Sequence, residues 1–320
     1  MDTTGTLLLP PSGSSFAPEV DALFAFLFYV SLFFLIVIFT AVIFFLVKYR
    51  RRNGETTTST VTAHNTFLEI SWTVIPLIIV LILFFWGFRV YMKMSIVPKD
   101  ALEIKVTGQK WFWSFVYPNG ATAVNELVVP MGKPIKLLMS SQDVIHSFYV
   151  PAFRIKRDVL PNRYTIIWFE ATNPGVFDLM CAEYCGSGHS KMLGRVRVVN
   201  DREYAQWMET AGAPEEGLPP QEMGEKLYKS KGCISCHSTD GTPGNGPSFR
   251  GVFGHKVSFI DGTSTTVDEN YLRQSILEPQ AKVVAGYQPI MPTYQTILKE
   301  DQIDALIAFI KSLSNEGLTP

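Results

Sequence analysis

Residues 181–192 read Cys181-Ala-Glu-Tyr-Cys185-Gly-Ser-Gly-His189-Ser-Lys-Met192, so two thiols, an imidazole and a thioether fall within one short stretch. Thiolate and thioether donors select soft metals, whereas a hard cation such as magnesium asks for oxygen. A second cluster, Cys233-Ile-Ser-Cys236-His237, offers two thiols and an imidazole in the Cys-x-x-Cys-His order that reads as covalent attachment of a c-type haem. The chain's four cysteines thus form two pairs, each beside a histidine, which argues for two cofactor sites rather than for disulfides. A zinc site is the other reading of Cys-x-x-Cys, but the C-terminal region holds no second ligand pair.

A loop alone rarely fixes metal geometry, so the first cluster needs a ligand from another element. His146, near the start of a strand-like run well upstream, is the candidate. For the haem, Met291 in Ile290-Met-Pro-Thr-Tyr294 is the only methionine after the attachment motif, and Met/His ligation is associated with a raised potential. His255 is the competing sixth ligand; its place beside a Gly-rich turn favours a surface role.

The elements that must position these groups fall into three parts. Residues 22–47 and 70–88 carry no charge and are long enough, at about 1.5 Å per residue, to cross a hydrocarbon core of roughly 30 Å. Pro76 inside the second run is tolerable in a membrane helix. No Lys or Arg precedes the first run, so the basic start of a signal peptide is missing, while Lys48, Arg50, Arg51 and Arg52 follow it and assign the connection to the cytoplasm. From Leu102 the pattern changes to period two, and short β-branched or aromatic runs at 111–117, 126–130, 134–139, 144–150, 163–169, 175–180 and 193–199 suggest a β-sandwich or barrel. A helix is expected over 201–211. The Gly- and Pro-rich stretch 212–220 suits a spacer. Helices are then expected over 221–230, 268–277 and 299–313, the last with Ile303, Leu306, Ile307 and Ile310 at helical spacing. With 28 basic against 29 acidic residues, a net charge of −1 gives no nucleic-acid signature.

An upstream histidine joined to Cys, His and Met from a later loop resembles the cupredoxin plan, here with a second cysteine that would turn a mononuclear copper site into a binuclear one. Taken with Glu69-Ile-Ser-Trp-Thr, Gly108-Gln-Lys-Trp-Phe-Trp-Ser114 and Asp143-Val-Ile-His-Ser147, the Cys-x-Glu-x-Cys-x-x-x-His-x-x-Met pattern resembles subunit II of haem-copper oxidases of the cytochrome c oxidase type. The resemblance covers roughly residues 24–199. Residues 244–254 are similar to the Gly-Pro segment of class I cytochromes c, and a cytochrome c domain fused to subunit II is the arrangement of caa3-type oxidases.

The resemblance implies a multidomain protein: an external segment (1–21), a two-helix transmembrane hairpin (22–95), an all-β cupredoxin-like sandwich with the binuclear copper centre CuA (96–211), a linker (212–220) and an all-α class I cytochrome c domain with one covalent haem c (221–320). Cys181 and Cys185 would bridge the coppers, His146 and Met192 would complete one site, and His189 with the Glu183 carbonyl the other. The Glu183 carboxylate matches the position that binds magnesium or manganese at the boundary with subunit I, and Asp158 and Arg163 match positions near that boundary, although Pro161-Asn-Arg stands where many relatives have Pro-Gly-Arg. Trp111 would receive electrons and Glu69 would take up protons; His64 reads as a solvated loop residue. The implied partners are subunit I and other oxidase subunits, an upstream reductase or a soluble cytochrome c, and a bacterial inner membrane with the copper and haem domains on its external face. The linker is expected to let the haem domain move between an external donor and the copper domain. A thiol redox or copper-delivery protein, a subunit of a copper-containing nitric oxide reductase and a free-standing electron carrier are the alternative readings.

Overall fold

The computed structural model describes residues 5–50, 64–211, 218–242, 244–295 and 298–315. Arg51, Arg52 and residues 212–217 of the expected linker lie outside the described residues.

Two apolar helices open the chain, α1 (Ala17–Lys48) and α2 (Thr66–Ser95). At about 1.5 Å per residue each is near 45 Å long, more than a hydrocarbon core needs, so one end of each has length to spare beyond the core. At one end of the pair, Lys93 of α2 meets Glu19 of α1 at 2.6 Å, while further along the rings of Phe26 and Trp86 pack 5.7 Å apart. The Asn65 side chain caps α2 by accepting from the Leu68 N–H at 3.1 Å, and Pro76 is carried inside the helix. Most large side chains of both helices face outwards, as lipid or partner contact requires.

Ten strands follow: β1 (Leu102–Gln109), β2 (Phe112–Val116), β3 (Thr122–Val124), β4 (Glu126–Pro130), β5 (Pro134–Ser141), β6 (His146–Val150), β7 (Ile155–Val159), β8 (Thr165–Glu170), β9 (Gly175–Cys181) and β10 (Leu193–Val199). They build two five-stranded sheets, ordered β3-β2-β1-β5-β8 and β4-β10-β9-β6-β7. The β1–β5 and β4–β10 pairs are parallel. Alternation does the sorting: Ile104 and Val106 of β1 and Ile135, Leu137 and Met139 of β5 are buried between the sheets, and each contributes about 1.5–3 kcal/mol relative to exposure. Trp113 and Phe115 of β2 point into the same core.

The segment before α1 straps this sandwich to the helices. Ser14 bridges to Ala171, the Ser14 hydroxyl donates to the Phe153 carbonyl at 2.8 Å, and Phe16 packs edge-on against Trp168. Arg154 clamps Asp21 with two N–H···O bonds of 2.7 and 2.9 Å. Such a bidentate pair fixes direction as well as distance, so the sandwich is held in a set orientation above the helices.

Helix α3 (Asp201–Ala211) closes the sandwich, with Trp207 edge-on to Tyr117. The C-terminal region consists of α4 (Pro220–Ser230), a hairpin of β11 (Lys256–Ser258) and β12 (Ser264–Thr266), α5 (Glu269–Leu277) and α6 (Glu300–Asn315). Among the described residues it is helical as expected, with one short hairpin that the sequence pattern does not announce. Asp268 caps α5 by accepting from the Tyr271 N–H at 2.7 Å. Helices α4 and α6 cross where Gly224 presents no side chain; a Cβ there would lie 2.1 Å from the Ala305 carbonyl oxygen. Leu227 and Tyr228 are thereby brought onto Ile303, Leu306, Ile307 and Ile310, the apolar positions read from the sequence.

Candidate metal and haem centres

The copper-type donors converge from three places. His146 opens β6, Cys181 ends β9, and Cys185, His189 and Met192 follow on the loop into β10. The Cys185 sulfur lies 3.8 Å from the Cys181 sulfur, 3.5 Å from His189 Nδ1 and 3.8 Å from the Met192 sulfur. His146 Nδ1 is 3.9 Å from the Cys181 sulfur, and the Glu183 carbonyl oxygen is 3.3 Å from it. All six residues assigned from the sequence therefore meet at one place. His146 and Met192 are wholly buried and both cysteines nearly so, whereas Glu183 is exposed. A buried cluster of soft donors with no carboxylate in its interior fits a copper pair.

Asp143 is the residue that reading the ligands alone passes over. Its carboxylate sits 2.8 Å from His146 Nε2, which leaves Nδ1 facing the cysteines, and it also accepts from the Lys110 N–H at 2.8 Å. Burial raises the Asp143 carboxyl, but the bonds from His146, Lys110 and Val144 outweigh this and hold it below the usual carboxylate range. Burial likewise opposes a charged His146, and the Asp143 carboxylate together with Cys181 more than offsets it, so the imidazole is raised above its usual range. At Cys181 burial is outweighed by hydrogen bonding with His146 and the backbone, so its thiol is the readier to ionise; burial together with Cys181 pushes Cys185 up. A metal-bound histidine whose second nitrogen is held by a carboxylate is a recurring device for setting tautomer and ring orientation. Asp143 lies three residues before His146, in the bend that leads into β6, and that spacing is the signal that could have found it. Asp143→Asn is expected to weaken copper retention by about 10–100-fold; titration of the purified chain with a copper chelator reads this directly.

Trp111 is buried against the copper loop, its indole N–H donating to the Cys185 carbonyl at 3.2 Å. Gly188 makes the fit: a Cβ there would come within 2.2 Å of the indole ring. Asn162, in the Pro-Asn-Arg departure, has φ 56°, the left-handed conformation that asparagine tolerates and glycine prefers. Asp158 accepts from the Ser147 hydroxyl at 2.8 Å and from Lys156, and Arg163 is exposed. Glu69 lies far along the sequence from these groups, at the start of α2, with His64 Nδ1 3.5 Å from its carboxylate.

The second site is a cleft of about 1240 Å³, solvent at its mouth included, lined by Cys233, Cys236, His237, Phe249, Ile276 and Met291 among others. Tyr228 donates to the His237 carbonyl, and His237 Nδ1 lies 2.7 Å from the Pro247 carbonyl, so Nε2 remains to face the cleft. Burial lowers the His237 pKa and keeps the ring in the neutral form that binds metal. Gln280 donates to the carbonyls of Pro289 and Met291, both at 3.1 Å, and so pins the Met291 loop. His255 is exposed and is not part of the cleft lining. An apolar cleft with two thiols, one imidazole and one thioether on its walls fits a covalently held haem.

Comparison with known proteins gives three adjoining matches. The family profile of the cytochrome c oxidase subunit II transmembrane domain matches residues 2–90, that of its periplasmic domain residues 120–199, and that of cytochrome c residues 221–314. Cytochrome c oxidase subunit 2 of Alkalihalophilus pseudofirmus is 36% identical over 280 residues, covering 84% of this chain and 79% of the relative. Cytochrome c oxidase subunit 2 of Cereibacter sphaeroides is 30% identical over 187 residues, covering 46% and 62% respectively. The crystal structure of the periplasmic domain of subunit II of cytochrome oxidase of Bradyrhizobium japonicum is 40% identical, covers 36% of this chain and 96% of its own, and has a TM-score of 0.35. On the three profile matches and the likeness to the Alkalihalophilus pseudofirmus subunit, the chain belongs to the cytochrome c oxidase subunit II family, with a CuA domain followed by a cytochrome c domain.

Proposed function

We propose that the chain is the electron-accepting subunit of a proton-translocating caa3-type oxidase in a bacterial inner membrane, with both cofactor domains on the external face. Electrons from an upstream reductase or a soluble cytochrome c are received at the C-terminal domain, and the copper domain delivers them to subunit I, where oxygen becomes water. The observation that carries this reading is the completeness of the donor set around Cys185. His146, Cys181, Glu183, Cys185, His189 and Met192 come together there and would supply every ligand from the protein, whereas a metal that works on substrate keeps a position open.

Copper and haem, when bound, supply one-electron carriers. The chain's own residues do the holding. His146, fixed by Asp143, and the buried Met192 keep the copper pocket dry and its geometry constant, which limits rearrangement when charge arrives. In the cytochrome domain Cys233 and Cys236 would attach the haem, and His237 and Met291, on the walls of the same cleft, would hold its iron. Trp111, bonded to the Cys185 carbonyl, is the electron-accepting aromatic of the copper domain. The exposed Glu183 carboxylate would be free to hold a magnesium or manganese ion at the boundary with subunit I.

Glu69 takes up protons from the cytoplasmic side, in keeping with the default functional reading of an ionisable residue at a membrane helix. Glu69→Gln is expected to slow steady oxygen reduction by roughly 100-fold, the low end of proton-transfer effects, while reduction of the haem and copper domains by the donor keeps its rate. Stopped-flow absorption separates the two. The reading as a whole is tested by purifying the native complex and following oxygen uptake with reduced cytochrome c. Isolation of the chain without a haem-copper partner would sink it.

A further inference from the structure

Phe112 is only 5% exposed, yet it faces away from the sandwich core to which its neighbours Trp113 and Phe115 belong. Strand β2 alternates, so Phe112 stands on the outer face of its sheet, where solvent is expected. The C-terminal domain covers it. The Phe112 ring forms part of the wall of the haem cleft, beside Gly232, Cys233 and Cys236, and a Cβ on Gly232 would lie 3.1 Å from it.

Polar and apolar contacts flank this ring. Asn125 Nδ2 donates to the Ser235 hydroxyl at 3.1 Å, inside the haem-attachment motif. The Ser187 hydroxyl, in the copper loop, donates to Gln288 of the Met291 loop at 3.5 Å, and Ile290 of that loop packs against the sandwich core. An aromatic anchor surrounded by weaker contacts that exclude water is how binding energy concentrates in an interface. On its other side Phe112 is joined by one peptide bond to Trp111, whose indole reaches the Cys185 carbonyl. The wall of the cleft and the Cys185 carbonyl are thus linked through two adjacent aromatic residues and one hydrogen bond.

We propose that Phe112 is the positioning residue that seats the C-terminal domain on the copper domain, and that the face around Trp111 is consequently occupied in cis. A separate protein donor then reaches this chain through the outer side of the C-terminal domain and not through the copper domain. The proposal rests on the functional reading above and deepens it, since it names which surface the tethered domain uses. The docked arrangement is the copper-facing end of any excursion that the linker permits.

Hydrogen exchange on the purified complex tests this. Backbone amides of residues 109–113 and 231–236 are expected to be protected in the unaltered chain. Phe112→Ala is expected to raise their exchange roughly tenfold or more, as loss of an aromatic anchor does, and Phe112→Tyr to restore protection. Unchanged exchange in Phe112→Ala, with the haem and copper absorption both present, would overturn the docking proposal and leave the oxidase reading intact. Absence of those absorptions from the unaltered complex would instead overturn the oxidase reading. Should Phe112→Ala fail to fold, ten Gly/Ser residues added within 212–220 give a second measurement. A specific dock loses only about threefold in protection, because effective concentration falls as roughly the −3/2 power of tether length; complete loss of protection would count against a specific dock.

Discussion

Replacement of Cys185 by serine is expected to cost the protein its copper pair and almost all oxygen uptake while leaving the haem in place. Cys185 is the hub of the donor set: the Cys181 sulfur, His189 and Met192 all lie within 3.8 Å of its own sulfur. Serine is nearly isosteric, so the pocket keeps its shape, and a substitution of that kind costs the fold about 1 kcal/mol. What changes is donor chemistry. A hydroxyl is a harder and less acidic ligand than a thiol, and it cannot share electron density between two soft ions. Changes one shell further out already cost about 10–100-fold, so loss of a shared ligand should lower turnover by at least roughly 100-fold. The copper-to-haem ratio of the purified complex, with its oxygen uptake, measures both effects. Met192→Leu is the control: Met192 is fully buried, the exchange conserves volume, and a weak ligand is lost instead of a shared one. Equal loss in both variants would show that the loop, and not the thiolate, is what the site depends on.

That prediction rests on residues legible in the sequence because the chemistry is local. Five of the six proposed ligands lie within residues 181–192, and a loop this short can present them together only if it turns back on itself, as its three residues of 3₁₀ helix at His189–Lys191 do. His146 was legible for another reason: the loop needed an outside ligand, and an imidazole at the head of a strand is a suitable one. The long helices and period-two strands were equally readable, since burial on one face leaves a periodic trace.

What stayed hidden depends on contacts that periodicity does not encode. Strand β7 carries Lys156, Arg157 and Asp158 between two buried ends, the composition of a sheet edge protected from further pairing, and so resembles a loop. Strands β3, β11 and β12 are three residues each, too short for alternation to register. Asp143 acts through His146 and carries no metal-ligand spacing of its own. Phe112 is the most instructive case. Alternation along β2 assigns it to the solvent side, correctly for the sandwich alone, and only the arrival of a second domain buries it.

Met291→Ala is expected to retain covalent haem yet lower its potential enough to impair electron acceptance. Attachment and ligation are separate jobs. Cys233 and Cys236 would hold the haem through thioether bonds under the proposed function, so losing Met291 would not release it. Met291 stands on a loop that Gln280 pins through two carbonyls, and both it and His237 line the cleft. Removing the thioether leaves the sixth position to water or to a nearby weak donor. Within the roughly 0.8 V range that axial ligands command, loss of a sulfur that favours the reduced state should lower the potential by on the order of 0.1 V. For a one-electron couple 59 mV is a tenfold change in equilibrium constant, so acceptance from a given donor becomes roughly 50-fold less favourable. Redox titration of the haem band measures the shift, and disappearance of the sulfur-to-iron absorption identifies its cause. His255, exposed and outside the cleft lining, supplies the opposing case: His255→Ala should leave potential and spectrum unchanged. The reverse pattern, with His255→Ala shifting the potential and Met291→Ala silent, would transfer the sixth ligand to His255 and require the Gly-rich turn before it to fold over the cleft.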